Sequence, residues 1–268
     1  MGRLRISTLI GSALFVLPTA GALAADIPSI PPPPVLIGGS WYLRGDIGLT
    51  NQSVGSLFNV LYDTADSVVN VDKGFDSSPF VGIGIGYRYN DHLRFDVTGE
   101  YRGAASFHGL DIYTNDSVPA TDDYTATKKE LTFLANAYWD IGTWKGITPF
   151  LGAGIGASYN TISDFRDVNV PNLGVAYAAS ASSWNLAWAL YAGVGYQVTP
   201  NLTIEAAYRY IDLGNAHSGD ICAYDDPSCG TYNPMEFRHI TSQDFKLGFR
   251  WALGGPSQQS YYPPVVKY

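Results

Sequence analysis

Apolar and polar residues alternate with a period of two along most of this chain. In the segment 93–102 the even positions are polar or charged, and the odd positions carry Leu93, Phe95, Val97, Gly99 and Tyr101. A β-strand places two such sets on opposite faces, whereas a helix would mix them. We predict eight strands on this pattern, at 40–50, 79–89, 93–102, 129–140, 147–159, 183–197, 202–213 and 238–251.

The charged residues of these segments gather on one face, and the other face carries large apolar residues such as Ile47, Ile83 and Phe245. A soluble sandwich or lipocalin would turn the apolar face inward and expose a face rich in Lys and Glu. A barrel in lipid turns the apolar face outward and pairs mixed charges in its lumen. The mixture on the polar face favours the lipid-embedded barrel. We expect these residues to face the lumen: Arg44, Asp46, Arg88, Arg94, Asp96, Glu100, Arg102, Glu205, Arg209, Asp244, Lys246 and Arg250.

The connections between the predicted strands alternate in length. Outer-membrane barrels have short periplasmic turns and long surface loops. Aromatic residues also fall at both predicted membrane interfaces, Trp41 and Trp139 on the periplasmic side and Tyr101 and Trp184 on the outer side. The pattern therefore predicts an eight-stranded, antiparallel, up-and-down transmembrane β-barrel, with long loops at 51–78, 103–128, 160–182 and 214–237 and short turns at 90–92, 141–146 and 198–201.

The two ends of the chain differ from the alternating region. Residues 1–24 have two early arginines, an apolar stretch and small residues before Ala24, as in a cleaved signal peptide. The apolar stretch is short for a membrane anchor, which is the alternative. We assign 25–39 to a proline-rich periplasmic linker, 40–251 to the barrel and 252–268 to a tail rich in Pro and Tyr.

Composition narrows the function. The net charge of −8 argues against a nucleic-acid binder, which would present a basic surface. The charged fraction of 15% with 46% hydrophobic residues argues against intrinsic disorder. Export into an oxidising compartment predicts a disulfide between Cys222 and Cys229, the two cysteines of the chain.

No pattern of residues predicts an enzyme or a cofactor. His239 and Ser242 are the nearest candidates for hydrolysis, but a spacing of three puts them on opposite faces of a strand. We interpret Asp122 and Asp123 as solvated turn residues, and 164–167 matches no calcium-loop pattern. Eight strands enclose a lumen that side chains can fill. We therefore expect a lumen closed by ion pairs, with a narrow pore as the alternative.

Four segments resemble those of the small alphaproteobacterial outer-membrane proteins, which are OmpA-like eight-stranded barrels. They are WYLRGDIGLT at 41–50, VGIGIGYRYN at 81–90, ITPFLGAGIGASYN at 147–160 and LTIEAAYRYIDLG at 202–214. Members of this family are known as surface antigens, and some relatives are described as haemin-binding proteins or porins. Such barrels usually end on an aromatic residue, whereas this chain continues past Trp251 to Tyr268.

The resemblance implies a monomeric outer-membrane protein that contacts lipid and the barrel-assembly machinery. We expect a structural and surface-presenting role in the cell envelope. The alternative is uptake, through a small pore or through haemin binding. His108 and His217, in predicted surface loops, are the candidate haemin ligands. Haemin or a host surface molecule is thus a candidate partner.

Overall fold

The computed structural model describes residues 40–171, 173–225 and 232–254. The predicted signal peptide at 1–24, the linker at 25–39 and the tail beyond Gly254 lie outside the described residues. Within them, no helix is long and apolar enough to cross a membrane. The strands are β1 (Ser40–Phe58), β2 (Ser67–Phe75), β3 (Ser78–Arg88), β4 (Leu93–Asn115), β5 (Val118–Asp140), β6 (Ile147–Asn169), β7 (Gly174–Ala178), β8 (Ala181–Gln197), β9 (Leu202–Ala223) and β10 (Pro234–Ala252), with a 3-10 helix at Val60–Thr64.

Eight of these strands close into an antiparallel barrel. Each pairs with its neighbour in the order β1-β3-β4-β5-β6-β8-β9-β10, and β10 pairs back onto β1 from Tyr42 opposite Ala252 to Phe58 opposite Glu236. The predicted eight-stranded architecture is therefore confirmed. Closure satisfies the backbone hydrogen bonds along each barrel strand, which is the condition for crossing lipid with a sheet. The remaining strands β2 and β7 pair with β4, and with β6 and β9, at one end of the barrel.

The barrel is apolar outside and charged inside. Ile83 and Phe245 are 73% and 70% exposed, while the side chains of Arg94 and Arg209 are fully buried. The aromatic residues predicted at the interfaces also point outward, with Trp41 among those near the short turns. This distribution is the reverse of a soluble protein and suits a hydrocarbon surrounding.

The four segments predicted as long loops consist largely of strand. We call their described parts, in 51–77, 103–128, 160–182 and 214–237, the crown. The segment 103–128, for example, continues β4 and β5 as one hairpin that turns at Asp116 and Ser117. The prediction of loops was wrong here because the pairing register shifts between Arg102 and Ala105. Beyond this bulge the inward positions of β4 change from even to odd, and its outward positions mix polar Ser106 and His108 with apolar Leu110 and Ile112, so the regular apolar alternation ends while the strand continues.

Lumen-facing glycines make room for large side chains from neighbouring strands. Gly86 lies under the ring of Tyr42, and Gly152 lies against the ring of Tyr138. At Gly156 an added Cβ would overlap the backbone carbonyl oxygen of Phe133 on β5. Because backbone in a paired strand cannot easily move aside, any larger residue at this position is destabilising.

We therefore expect Gly156→Ala to lower the free energy of unfolding by about 1–3 kcal/mol, the usual effect of overpacking. Urea titration of the refolded barrel, followed by tryptophan fluorescence, measures this. Gly74→Ala is the control, since no atom lies within 4 Å of the added Cβ. Equal stability of the two variants would contradict the steric argument.

Candidate functional site

One continuous network of ion pairs fills the membrane-spanning part of the lumen and reaches the crown at Lys128. Every member has an oppositely charged partner within 4.0 Å. Its seven basic and seven acidic residues are Arg44, Arg94, Arg102, Lys128, Arg209, Lys246, Arg250, Asp46, Asp96, Glu100, Glu130, Asp140, Glu205 and Asp244. The equal numbers leave the network with no net formal charge.

Arg209 lies at the centre of the half of this network nearer the crown. Its Nη2 atom lies 2.7 Å from Glu100 Oε2 and 2.6 Å from Asp244 Oδ2. Arg102 approaches the same Asp244 oxygen from across the lumen, with 2.7 Å between Nη1 and Oδ2. Arg102 also pairs with Glu130, which in turn pairs with Lys128. These contacts join β4 and β5 to β9 and β10 through the interior.

Arg44 has the corresponding position nearer the short turns. It donates to Asp46 at 2.8 Å and to Asp96 at 2.6 Å, and it also donates to the hydroxyl of Tyr138 at 2.9 Å. Arg94 stacks on the Tyr138 ring at 4.0 Å from its centroid. Planar guanidinium groups are suited to this combination of forked hydrogen bonding and stacking. The lumen at this level is filled by side chains, because arginines and tyrosines occupy the space that the glycines leave.

A second, apolar layer closes the lumen inside the crown. The Phe107 ring lies edge-on to Phe237, with centroids 4.8 Å apart, and 5.2 Å from Phe75. Beside these three rings, Phe165 and Tyr124 stack on each other with their ring centroids 5.9 Å apart. All five side chains are buried. A solute passing through the barrel would have to cross both this aromatic layer and the ionic network.

The structure brings eleven of the twelve predicted lumen charges into the network. Arg88 differs: its side chain is 32% exposed and pairs with Asp91 in the turn after β3. Lys128, Glu130 and Asp140 also belong to the network and were not predicted from the sequence. The available signal was that all three occupy even positions along β5. Lys128, however, fell in a predicted loop. In the predicted strand 129–140 the apolar residues of the outward face gave a clearer pattern than the two acids on the inward face.

The candidate haemin ligands do not form a common site. His108 is on β4 with its side chain 62% exposed, 4.0 Å from the carboxylate of Asp76. His217 is on β9, where its Nδ1 atom lies 2.9 Å from the carbonyl oxygen of Ser218. The strands β4 and β9 do not pair with each other. Cys222 is near the end of β9 and Cys229 lies outside the described residues, so their pairing stays a prediction.

Comparison with known proteins places the chain in a family. The sequence profile described as outer membrane protein beta-barrel domain matches residues 12–252. The chain belongs to this family. An uncharacterized protein of Brucella suis is 35% identical over 213 residues, which cover 70% of this chain and 73% of that protein. Outer membrane protein PagN of Salmonella typhimurium is 28% identical over 183 residues, covering 64% and 72% respectively.

The chain is also similar to solved structures. Neisserial surface protein A shares 20% identity with a TM-score of 0.44, over 80% of this chain and 98% of that chain. OprG from Pseudomonas aeruginosa shares 16% identity with a TM-score of 0.44, over 81% and 97%. The barrel is apolar outside and charged inside, as the family membership leads one to expect. This family member resides in the outer membrane of a Gram-negative bacterium, embedded in lipid.

The network predicts a large cost for removing one central cation. In Arg209→Met, Glu100 and Asp244 lose their shared partner within the low-dielectric interior, and we expect a loss of about 3–5 kcal/mol in the free energy of unfolding. Arg88→Met is the matched control, because an exposed pair contributes less than about 1 kcal/mol. Urea titration of both refolded variants gives the comparison. A loss in Arg209→Met no larger than in the control would refute a stabilising network.

Proposed function

We propose that this protein is a closed, non-enzymatic barrel that anchors the crown in the outer membrane and presents it at the cell surface. The observation that carries the proposal is the double closure of the lumen, ionic in the membrane and aromatic in the crown. With the interior filled at both levels, the part left for contact with other molecules is the crown.

The crown is suited to presentation because it is built from paired strands. Its hairpins extend the barrel wall, so its surface is held by the same hydrogen-bonded ladders as the membrane part. A rigid surface loses less conformational entropy on binding than free loops. Most charges on this surface are acidic, with exposed aspartates at Asp63, Asp66, Asp72, Asp76, Asp116, Asp123, Asp164 and Asp225.

One relative supports a role in contact with other surfaces. A Rickettsia rickettsii protein, named as a candidate adhesin, is 25% identical over 226 residues, which cover 80% of this chain and 88% of that protein. That name concerns the relative, and it supports a surface-contact role for the crown here. Uptake through the barrel is the competing function, and it requires an open path that the filled lumen opposes.

The closed lumen predicts that the barrel does not conduct ions. We expect the refolded mature protein to give no reproducible unitary conductance steps in a planar bilayer, because ions would have to displace buried ion pairs and packed rings. A heat-dependent shift in gel mobility of the same sample verifies that the barrel is folded. Reproducible unitary steps would transfer the function to transport.

The proposed orientation predicts which end antibodies reach. An epitope inserted between Asp116 and Ser117, at the crown hairpin, should be labelled on intact cells. The same epitope inserted between Asp91 and His92, in a short turn, should be labelled only after the outer membrane is permeabilised. Labelling of the short-turn epitope alone on intact cells would reverse the orientation and remove the basis for presentation.

A further inference from the structure

A cavity of about 300 Å³ lies inside the crown, next to the aromatic layer. Its described lining includes three tyrosines and two aspartates and contains no Lys, Arg or His. The titratable side chains of this lining are Tyr62, Tyr113, Tyr124, Asp122 and Asp167. The cavity is therefore lined by partly buried acidic groups, with no cation beside them among the residues that the structure describes.

A third carboxylate lies behind this lining. Asp111 on β4 stands directly opposite Asp122 on β5 in the strand register. Asp111 is buried and accepts hydrogen bonds from the Tyr62 hydroxyl and, at 2.5 Å, from the Asn70 amide. Like charges directly opposite each other on paired strands are destabilising. We call Asp111, Asp122 and Asp167 the carboxylate cluster.

Asp167 is the member of the cluster whose charge is least offset by hydrogen bonds, because its buried Oδ1 atom has no hydrogen-bond partner among the described residues. It stands on β6 opposite Tyr124 of β5 and opposite Ala176 of β7. The acidic groups that act on it are Asp111 of β4 and Asp122 and Asp123 of β5. Tyr62 from the 3-10 helix faces the same cavity. The nearest basic residue on its own strand, Arg166, occupies the opposite, exposed face.

Burial and these neighbouring carboxylates raise the pKa of Asp167 to about 7. Burial, together with the charge of Asp111, also raises the pKa of Asp122, although the amide of Asn169 donates to Asp122 at 2.9 Å and opposes the shift. Burial raises the pKa of Tyr62 and Tyr124 as well, so both hydroxyls stay protonated near neutral pH.

We propose that the carboxylate cluster makes the crown pH-sensitive: a proton taken up at Asp167 tightens the packing of β4, β5 and β6 around the cavity, and its release loosens that packing. The geometry supports this coupling, because the cluster bridges three neighbouring strands and has no cation in its described surroundings. This pH sensitivity concerns how the crown is held together, and it does not depend on the proposed surface role.

The direction of the effect follows from the two states. In an opened crown Asp167 returns to its ordinary pKa of 3.8, whereas in the closed crown the pKa is about 7. The closed state therefore binds the proton more tightly, and stability is lost as the pH rises towards 7. Between pH 5.5 and pH 8, linkage predicts that the equilibrium constant for local opening increases by about 30-fold.

Hydrogen exchange measured by mass spectrometry on the refolded, full-length mature protein tests this. After correction for intrinsic exchange rates, amides in 118–126 and 162–169 should open about 30-fold more often at pH 8 than at pH 5.5. Membrane-spanning peptides of the same sample are the internal reference. Unchanged opening of the crown amides across this pH range would overturn the proposal.

Two substitutions separate the cluster from general effects of charge. Asp167→Asn should keep the low-pH protection at pH 8 and remove the pH dependence. Asp164→Asn is the matched control, since Asp164 is on the same strand and exposed, and it should behave as the unmodified protein. Retention of the pH dependence in Asp167→Asn would also refute the proposal.

A third substitution keeps the proposal testable if Asp167→Asn does not fold. Asp122→Asn removes one of the repelling charges, and the midpoint of the pH-dependent opening should therefore move to lower pH. A midpoint that does not move, or that moves to higher pH, would show that the cluster is not electrostatically coupled.

Discussion

An eight-stranded barrel encloses a volume that side chains must fill. The rest of the structure depends on which side chains fill it where lipid surrounds the barrel and where water surrounds it. Within the membrane the outer face is committed to lipid, so the polar residues of each strand can only turn inward. There they meet in a confined, poorly solvated space where a lone charge is very costly. The balanced ionic network is the arrangement that satisfies this constraint.

The interior changes character where the barrel leaves the membrane. A bulge on β4 between Arg102 and Ala105, and irregular pairing near Thr125 on β5 and near Phe237 on β10, occur at this level. Beyond them the outer surface faces water. Apolar side chains are therefore buried inside, as in a soluble protein, and Phe107 and Phe237 pack there. The bulges change which positions of a strand point inward. A single continuous sheet can therefore have a charged interior in the membrane and an apolar interior in the crown.

The sequence predicted the eight strands and most of the lumen charges because lipid imposes a strict alternation of apolar and polar positions. It could not predict the crown strands, since one bulge reverses the phase of β4 at Ala105 and the outer face of a water-facing strand mixes polar with apolar residues. It also missed the carboxylate cluster: Asp122 was interpreted as a solvated turn residue, whereas the strand register places it opposite Asp111. Register across neighbouring strands depends on bulges, which leave little trace in a single sequence.

The distribution of the ion pairs among the strands has a consequence for assembly. The network joins β1, β9 and β10 on one side to β4 and β5 on the other, so residues from both ends of the chain neutralise residues from its middle. A partly formed sheet in the membrane would hold cations without their counter-ions. Insertion and closure must therefore proceed together, and intermediates with an open seam should be poorly populated. The charges that close the lumen thus also make barrel formation cooperative.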